Sequence, residues 1–139
     1  MSKILVDTNV LIYFIDQDSK YFERSSSFLN SRSEIFISSK SLSEFFAVLT
    51  RAPIPSLSFL DSLKFARWFS SNFPILFPDQ TSLDILFNLV DRYKPKGLKI
   101  HDFEIVSIGL GQKIKKIATF NSKDFTCIQE IEVIDLKEN

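Results

Sequence analysis

Acidic and amide side chains at four separate places along the chain are the residues whose types could do chemistry together. Asp7 directly follows the first apolar run, and Glu44 lies early in an amphipathic segment after the second. Asp102 opens a strongly apolar segment, and a later apolar run is followed by Asn121 and Asp124. An ionised carboxylate beside an apolar core is costly unless a cation or a hydrogen bond compensates it. Oxygen ligands without His or Cys suit Mg²⁺ or Mn²⁺ rather than zinc, so these residues would form a hard divalent-cation site if the fold gathers them.

The elements that must position these residues alternate along the chain between short apolar strands and helices. Such alternation predicts one α/β domain over residues 1–139, a three-layer α/β/α sandwich with a short, mainly parallel sheet. Strand ends and the helix starts that follow them converge on one edge of such a sheet. The predicted strands are 3–6, 35–37, 75–77, 117–119 and 132–134, and the predicted helices are 8–16, 19–31, 41–51, 57–70, one N-capped by Asp79, and one starting near Asp102.

Each acid also has a purely structural interpretation. Asp7 and Asp102 could each be the N-cap of the helix that follows, and Asp124 could be a turn residue. Ser41 and Glu44 have the spacing of a capping box, in which the glutamate returns to the N-cap amide. Spacing alone does not decide between four separate caps and one shared site.

Composition narrows the class of protein. A chain of 139 residues with 45% hydrophobic content predicts one domain with a real core. The single cysteine, Cys127, excludes an internal disulfide and a cysteine zinc cluster, and its apolar neighbour Ile128 predicts that it is buried. No apolar run reaches the length of a signal peptide or a membrane span, which predicts a soluble, cytoplasmic protein without a membrane partner. Only three glycines and no phosphate-cradling cluster argue against dinucleotide and P-loop nucleotide binding.

Charge and aromatic residues are unevenly used. From Arg92 to Lys123 there are eight Lys or Arg against two acids, although the formal net charge is zero. This stretch could be a basic patch that attracts nucleic acid or simply a solvated face. Fifteen phenylalanines are many for one core, which suggests a subunit or partner interface as well.

The order of four local motifs resembles PIN-domain ribonucleases. Asp7-Thr8-Asn9-Val10-Leu11-Ile12 is similar to the opening of that family, and Ser43-Glu44-Phe45 resembles its second acidic position. The segment 97–102, which ends in His101-Asp102, resembles the third position, and 118–125 resembles the closing segment. The small size is most similar to VapC-type toxins of toxin–antitoxin pairs. Asn121 departs from the family pattern, because an acid often stands there; either Asp124 or the amide oxygen of Asn121 would take its place.

The resemblance implies an endoribonuclease that depends on one or two Mg²⁺ or Mn²⁺ ions and leaves a 5′-phosphate and a 3′-hydroxyl. It implies a cognate antitoxin, and with the phenylalanine excess it favours a homodimer; the RNA sequence that would be cut is not readable from the chain. The implied catalytic residues are Asp7, Glu44, Asp102, Asp124 and Asn121, of which Asp7, Glu44, Asp102 and Asp124 would bind metal. Candidate substrate contacts are Arg51, Lys96, Lys99 and Lys123, with Thr8, Asn9 and Thr119 as residues that orient the carboxylates or a water.

Two other classes of function stay open at this stage. A phosphoryl-transfer α/β domain of the receiver or haloacid-dehalogenase type would use an Asp as the phosphate acceptor, although Asn9 stands where a dehalogenase would carry its second Asp. A non-catalytic PIN-like interaction module with a decayed site would explain Asn121.

Overall fold

The computed structural model describes residues 2–137 and contains one parallel five-stranded sheet. The strand order is β3-β2-β1-β4-β5, and each neighbouring pair is parallel. This confirms the predicted α/β class and the position of every predicted strand to within about two residues. The strands are β1 (Lys3–Val6), β2 (Glu34–Ser38), β3 (Ile75–Leu76), β4 (Lys116–Thr119) and β5 (Glu132–Asp135).

Six helices cover the two faces of this sheet and complete the predicted three layers. They are α1 (Thr8–Ile15), α2 (Phe22–Leu29), α3 (Ser39–Arg51), α4 (Phe59–Asn72), α5 (Gln80–Tyr93) and α6 (Lys99–Gly111), with a short 3₁₀ turn at Ser122–Asp124. The first four helices share one hydrophobic core with one face of the sheet. The last two share a second core with the other face.

Alternation along the strands explains why the strand sequences read as unbroken apolar runs. Ile4 and Val6 belong to the core beneath α1–α4, whereas Leu5 between them belongs to the core beneath α5 and α6. Ile117 and Ala118 of β4 divide in the same way. A strand buried on both faces needs apolar residues at every position, as parallel sheets covered by helices generally do.

Several helix starts differ from their predictions: α2 and α4 begin at Phe22 and Phe59 rather than at residues 19 and 57, and the starts of α3 and α6 bear on the site. The N-cap of α3 is Ser38, whose hydroxyl accepts from the Ser41 amide at 3.0 Å, so the predicted capping box between Ser41 and Glu44 is wrong. The chain passes straight from β2 into the helix, which places the cap on the last strand residue. Helix α6 begins at Lys99 rather than near Asp102, so Asp102 lies in the first turn and is not the N-cap.

Close packing holds α6 against the central strand. A Cβ atom added at Gly109 would lie 2.9 Å from Cδ2 of Leu5, so a larger residue there would have to displace the Leu5 side chain, and glycine lets α6 approach β1 closely. This contact fixes the distance between the helix that carries Asp102 and the strand that leads to Asp7.

Two further features complete the fold. Cys127 is exposed, so the prediction that it is buried is wrong; its neighbour Ile128 takes the core position instead. None of the helices formed by residues 2–137 is long and apolar enough to cross a membrane.

Candidate active site

The centre of the sheet is a topological switch point, which is where open parallel sheets bind ligands. The chain leaves β1 toward β2 on one side, whereas β4 is followed by β5 on the other side. The connections therefore diverge between β1 and β4 and leave a crevice at their carboxyl ends. Asp7 follows β1 directly, and Asn121 lies two residues after β4.

Asp7 is fixed in one orientation by two hydrogen bonds. Its Oδ1 accepts from the Thr8 amide at 2.8 Å, and its Oδ2 accepts from the Thr119 hydroxyl at 2.8 Å. The first bond makes Asp7 the N-cap of α1, as its structural interpretation predicted. Only 8% of the residue is exposed. Asp7 therefore both caps a helix and presents its charge at the switch point.

The three acids carried over from the sequence pattern line one cleft. Asp7, Glu44 and Asp102 border a cavity of about 270 Å³, together with Thr8 and Asn9. Asp7 follows β1, whereas Glu44 and Asp102 lie on α3 and α6, so residues distant in sequence meet at this cleft. Glu44 is oriented by the Thr8 hydroxyl, which donates to its Oε1 at 3.2 Å. Apolar side chains of α1 and α3 complete the wall.

The electrostatics of the cleft show the cost of gathering these acids. Burial, with smaller contributions from the charges of Glu44 and Asp124, raises the pKa of Asp7 to about 6, against the lowering effect of its two hydrogen bonds. Burial and the charges of Asp7 and Asp124 raise the pKa of Asp102 to about 7, while Lys99 opposes that rise. Burial and mutual repulsion of these acids therefore favour a proton or another positive charge within the cleft.

Thr119 is the hydrogen-bonding centre beneath the acids. Its hydroxyl donates to Asp7 and accepts from Nδ2 of Asn9 at 3.2 Å and from the Asn121 amide at 3.0 Å. The Asn9 side chain also accepts from the Phe120 amide at 3.2 Å. These bonds tie the start of α1 to the end of β4, and the Thr119 hydroxyl, which Asn9 also contacts, holds the Asp7 carboxylate.

Lys99 lies between Asp124 and Asp102, which borders the cleft. The Lys99 ammonium lies 3.5 Å from Oδ1 of Asp124 and 3.8 Å from Oδ2 of Asp102. The Asn121 side-chain amide donates to Oδ2 of Asp124. Lys99 was predicted as a substrate contact, and the structure places it in an ion-pair network between two of the acids.

The cleft offers carboxylate oxygens, which are the ligands that a hard divalent cation prefers. Among residues 2–137, no three Asp, Glu, His or Cys side chains stand close enough to form a ready-made metal cage. The donors that line the cleft are nevertheless oxygen atoms, and burial together with the charges of neighbouring acids raises the pKa values of Asp7 and Asp102. Such a set fits Mg²⁺ or Mn²⁺, with Asp7, Glu44 and Asp102 as the available ligands.

The remaining basic candidates lie in different places. Arg51 borders a second cleft beside the acids, whereas Lys96 and Lys123 are exposed on the loops that flank Lys99 and Asp124. Lys40, which the sequence pattern did not single out, also borders the second cleft and lies 3.5 Å from Glu104. Its only sequence signal was its place one residue into the helix after β2, where a side chain reaches the same sheet edge.

Three comparisons with known proteins bear on this fold. The sequence profile described as the PIN domain matches residues 4–129. Among solved structures, VapBC-1 from nontypeable Haemophilus influenzae is similar, with a TM-score of 0.73, 18% identity, and coverage of 98% of this chain and 99% of that chain. DNA-bound VapBC from Salmonella typhimurium has a TM-score of 0.70 and 23% identity over 98% of this chain and 99% of that one.

A more distant structural neighbour is a VapC toxin from Mycobacterium tuberculosis, described as cleaving the sarcin–ricin loop. Its TM-score is 0.65 at 12% identity, with 82% of this chain and 86% of that chain covered. No curated protein sequence matches the chain. At these identities the solved structures show a shared fold. The sequence profile covers nearly the whole chain, and the chain belongs to the PIN-domain family.

Proposed function

We propose that this chain is a metal-dependent endoribonuclease and the toxin of a type II toxin–antitoxin pair. The observation that carries the proposal is the cleft at the switch point, which gathers Asp7, Glu44 and Asp102 from three separate elements. Membership of the PIN-domain family and the likeness to VapBC structures support a nuclease of this kind. The proposal includes the binding of a divalent cation in this cleft, RNA as the substrate, and the roles of the individual residues described below.

The chain's own residues would prepare the cleft for a metal and a phosphodiester. Hydrogen bonds from Thr8 and Thr119 hold the Asp7 carboxylate in one orientation. The Thr8 hydroxyl also orients Glu44. Asp102 would complete the set from α6. A divalent cation bound there would lower the pKa of water and neutralise negative charge on the phosphate. Ile12, Tyr13 and Val48 form an apolar wall that excludes bulk water from one side of the cleft.

RNA would approach along the second cleft, which adjoins the first through Glu44 and Asp102. Carboxylates repel a phosphate backbone, so basic side chains must draw it in. Arg51 and Lys40 border this second cleft and would bind phosphates on one side of the scissile bond. Lys96 and Lys123 are exposed and would contact the strand on the side of the closing loop.

An antitoxin would bind the apolar groove between α3 and α4. Phe46, Leu49, Ile54, Leu57 and Phe59 border this groove, and Phe59 is 64% exposed. An amphipathic helix packs well into such a groove. A basic antitoxin side chain could then reach the acidic cleft and block it. The structural neighbours described as VapBC complexes support a partner of this class.

A homodimer would use a different surface. Leu83 and Phe87 lie one turn apart on α5 and are 41% and 61% exposed, and Phe77 just before that helix is 65% exposed. Burying these side chains against a second copy would remove apolar surface from water. Light scattering should give twice the monomer mass at micromolar concentration; a monomer would count against the dimer.

The nuclease proposal is tested by incubating the purified chain with total bacterial RNA and with a synthetic sarcin–ricin loop, with and without Mg²⁺ or Mn²⁺. We expect cleavage that needs the metal and leaves 5′-phosphate ends. Asp102→Asn should lower the rate by at least about 100-fold, because a metal ligand is lost. Asp91→Asn is the matched control, since that side chain is 93% exposed on α5.

Other outcomes would assign the chain to the rival classes. An RNA that stays intact at every metal concentration would overturn the nuclease proposal and favour a non-catalytic interaction module. Radiolabelled phosphate retained on an Asp after incubation with an acyl-phosphate would instead favour phosphoryl transfer. Equal loss of cleavage in Asp91→Asn and Asp102→Asn would mean that the variants lose fold rather than a ligand.

A further inference from the structure

We infer that Lys99 is a built-in cation of the active site, so that the cleft binds one divalent ion and the Lys99 ammonium occupies the place of a second. This inference rests on the proposed metal-dependent function and concerns how the positive charge in that site is divided. The Lys99 ammonium lies 3.5 Å from one acid of the site, Asp124, and 3.8 Å from another, Asp102.

The first step is the position of the ammonium. Nζ of Lys99 lies 3.5 Å from Asp124 and 3.8 Å from Asp102, so it bridges carboxylates from the 3₁₀ turn and from α6. It also donates to the backbone carbonyl of Asp124. Its side chain is 31% exposed, and one turn of α6 separates it from Asp102. A second divalent ion held between these two acids would have to share the space and meet the repulsion of this charge.

The second step is the pairing of the Asp124 oxygens. Oδ1 faces Lys99, and Oδ2 accepts from the side-chain amide of Asn121. A metal ion at Oδ1 would meet the repulsion of the Lys99 charge, and a metal ion at Oδ2 would compete with the Asn121 amide for that oxygen. Asp7, Glu44 and Asp102 line the open cleft instead. Asp7 and Glu44 therefore face the open cleft, Asp124 faces Lys99, and Asp102 borders both the cleft and Lys99.

The third step is the identity of residue 121. An aspartate there would place another negative charge beside Asp124, and that pair would favour a further positive charge, such as a second divalent ion or a proton. Asparagine donates a hydrogen bond to Asp124 and adds no charge. Lys99 and Asn121 thus both make the net charge of the site less negative. Lys99 supplies a positive charge, and Asn121 is neutral where an aspartate would be negative.

Mn²⁺ binding to the full chain, followed by calorimetry and by the electron paramagnetic resonance signal of free Mn²⁺, tests the inference without using activity. We expect one Mn²⁺ per chain in the wild type. Lys99→Met, which keeps the apolar stem but removes the charge, should bind two ions and should bind the first about tenfold more tightly. Lys99→Arg keeps the charge and should bind one. Lys115→Met, an exposed lysine outside the cleft, is the control and should behave as wild type.

Binding of two ions by the wild type would overturn the inference, and so would Lys99→Met with one ion and an unchanged dissociation constant. Binding of no ion by the wild type would overturn it together with the metal-dependent function. The two proposals fail separately in other cases: two ions with RNA cleavage would refute only the built-in cation, and one ion without cleavage would refute only the nuclease. Circular dichroism checks that each variant is folded. Lys99→Gln also removes the charge and should bind two ions, so it replaces Lys99→Met if methionine disrupts the loop.

Discussion

Replacing Asp102 with asparagine removes one of the charges that repel one another in the cleft, and the effect on stability depends on pH. Asp102 has an ordinary pKa of 3.8 that is raised to about 7, chiefly by burial and then by the charges of Asp7 and Asp124. Glu44 adds to this rise and Lys99 opposes it. A group of this kind binds its proton more tightly when the protein is folded. Its contribution to stability is therefore complete below pH 3.8 and is lost as the pH rises to about 7.

The size of this stability change depends on how much of the interval between pH 3.8 and about pH 7 the experiment covers. Raising the pH from about 5.5 to about 8.5 covers roughly 1.5 pH units of it, at about 1.4 kcal/mol per unit. The Asp102 side chain is 24% exposed, so solvent screening lowers the resulting 2 kcal/mol to about 1 kcal/mol. The acids whose pKa values are lowered, Asp61 and Glu130, stay ionised throughout this range and do not contribute.

Urea unfolding of the metal-free chain at the two pH values measures the effect. The wild type should lose more stability than Asp102→Asn over this interval, by about 1 kcal/mol, or about 3 °C in melting temperature. The variant keeps a smaller dependence, because burial also raises the pKa of Asp7. Asp91→Asn is the control and should follow the wild type. The reasoning is refuted if Asp102→Asn and the wild type lose equal stability between the two pH values.

Three further predictions concern the cleft and the start of α3, the helix that carries Glu44. Mg²⁺ at about 100 times its dissociation constant should stabilise the chain by about 2.7 kcal/mol, seen as a rise of about 8 °C in a thermal-shift assay that is absent in a chelator. Ser38→Ala should cost about 1–2 kcal/mol in urea unfolding, because the buried Ser41 amide and hydroxyl lose their partner, whereas Ser43→Ala on the exposed side of α3 should cost less than about 0.5 kcal/mol. Thr119→Val removes a donor to Asp7, so the pKa of that carboxyl, measured by carbon NMR, should rise above about 6; an unchanged value would mean that the hydrogen bond does not stabilise the anion.

Much of the fold was predictable because its signals are local. A strand covered on both faces is apolar at each position, and Ile4, Leu5 and Val6 show this directly. Capping signals were less dependable. Asp7 is the N-cap of α1 as predicted. The N-cap of α3 is Ser38 rather than Ser41, because the end of β2 supplies a hydroxyl one turn earlier. Several polar residues near a helix start satisfy the same local rule, and the path of the preceding strand selects one of them.

Exposure and charge pairing were less predictable. Cys127 and Ile128 are neighbours with similar local surroundings, and only the turn after Asp124 determines which of them enters the core. Lys99 reads in the sequence as one of several basic residues in a charged stretch. Its contact with Asp124 depends on the loop after β4 folding back over the start of α6, which no local pattern encodes.

By itself the sequence determined which segments would be buried, which residues could carry a charge, and in what order the family motifs follow one another. These properties depend on residue type and on neighbours within a few positions, so they can be read along the chain. Only the tertiary structure decided that Asp7, Glu44 and Asp102 share a cleft and that Lys99 stands between Asp102 and Asp124. Those distances are set by the strand order β3-β2-β1-β4-β5 and by the close approach of α6 at Gly109, because it is the packing of elements distant in sequence that brings their ends together.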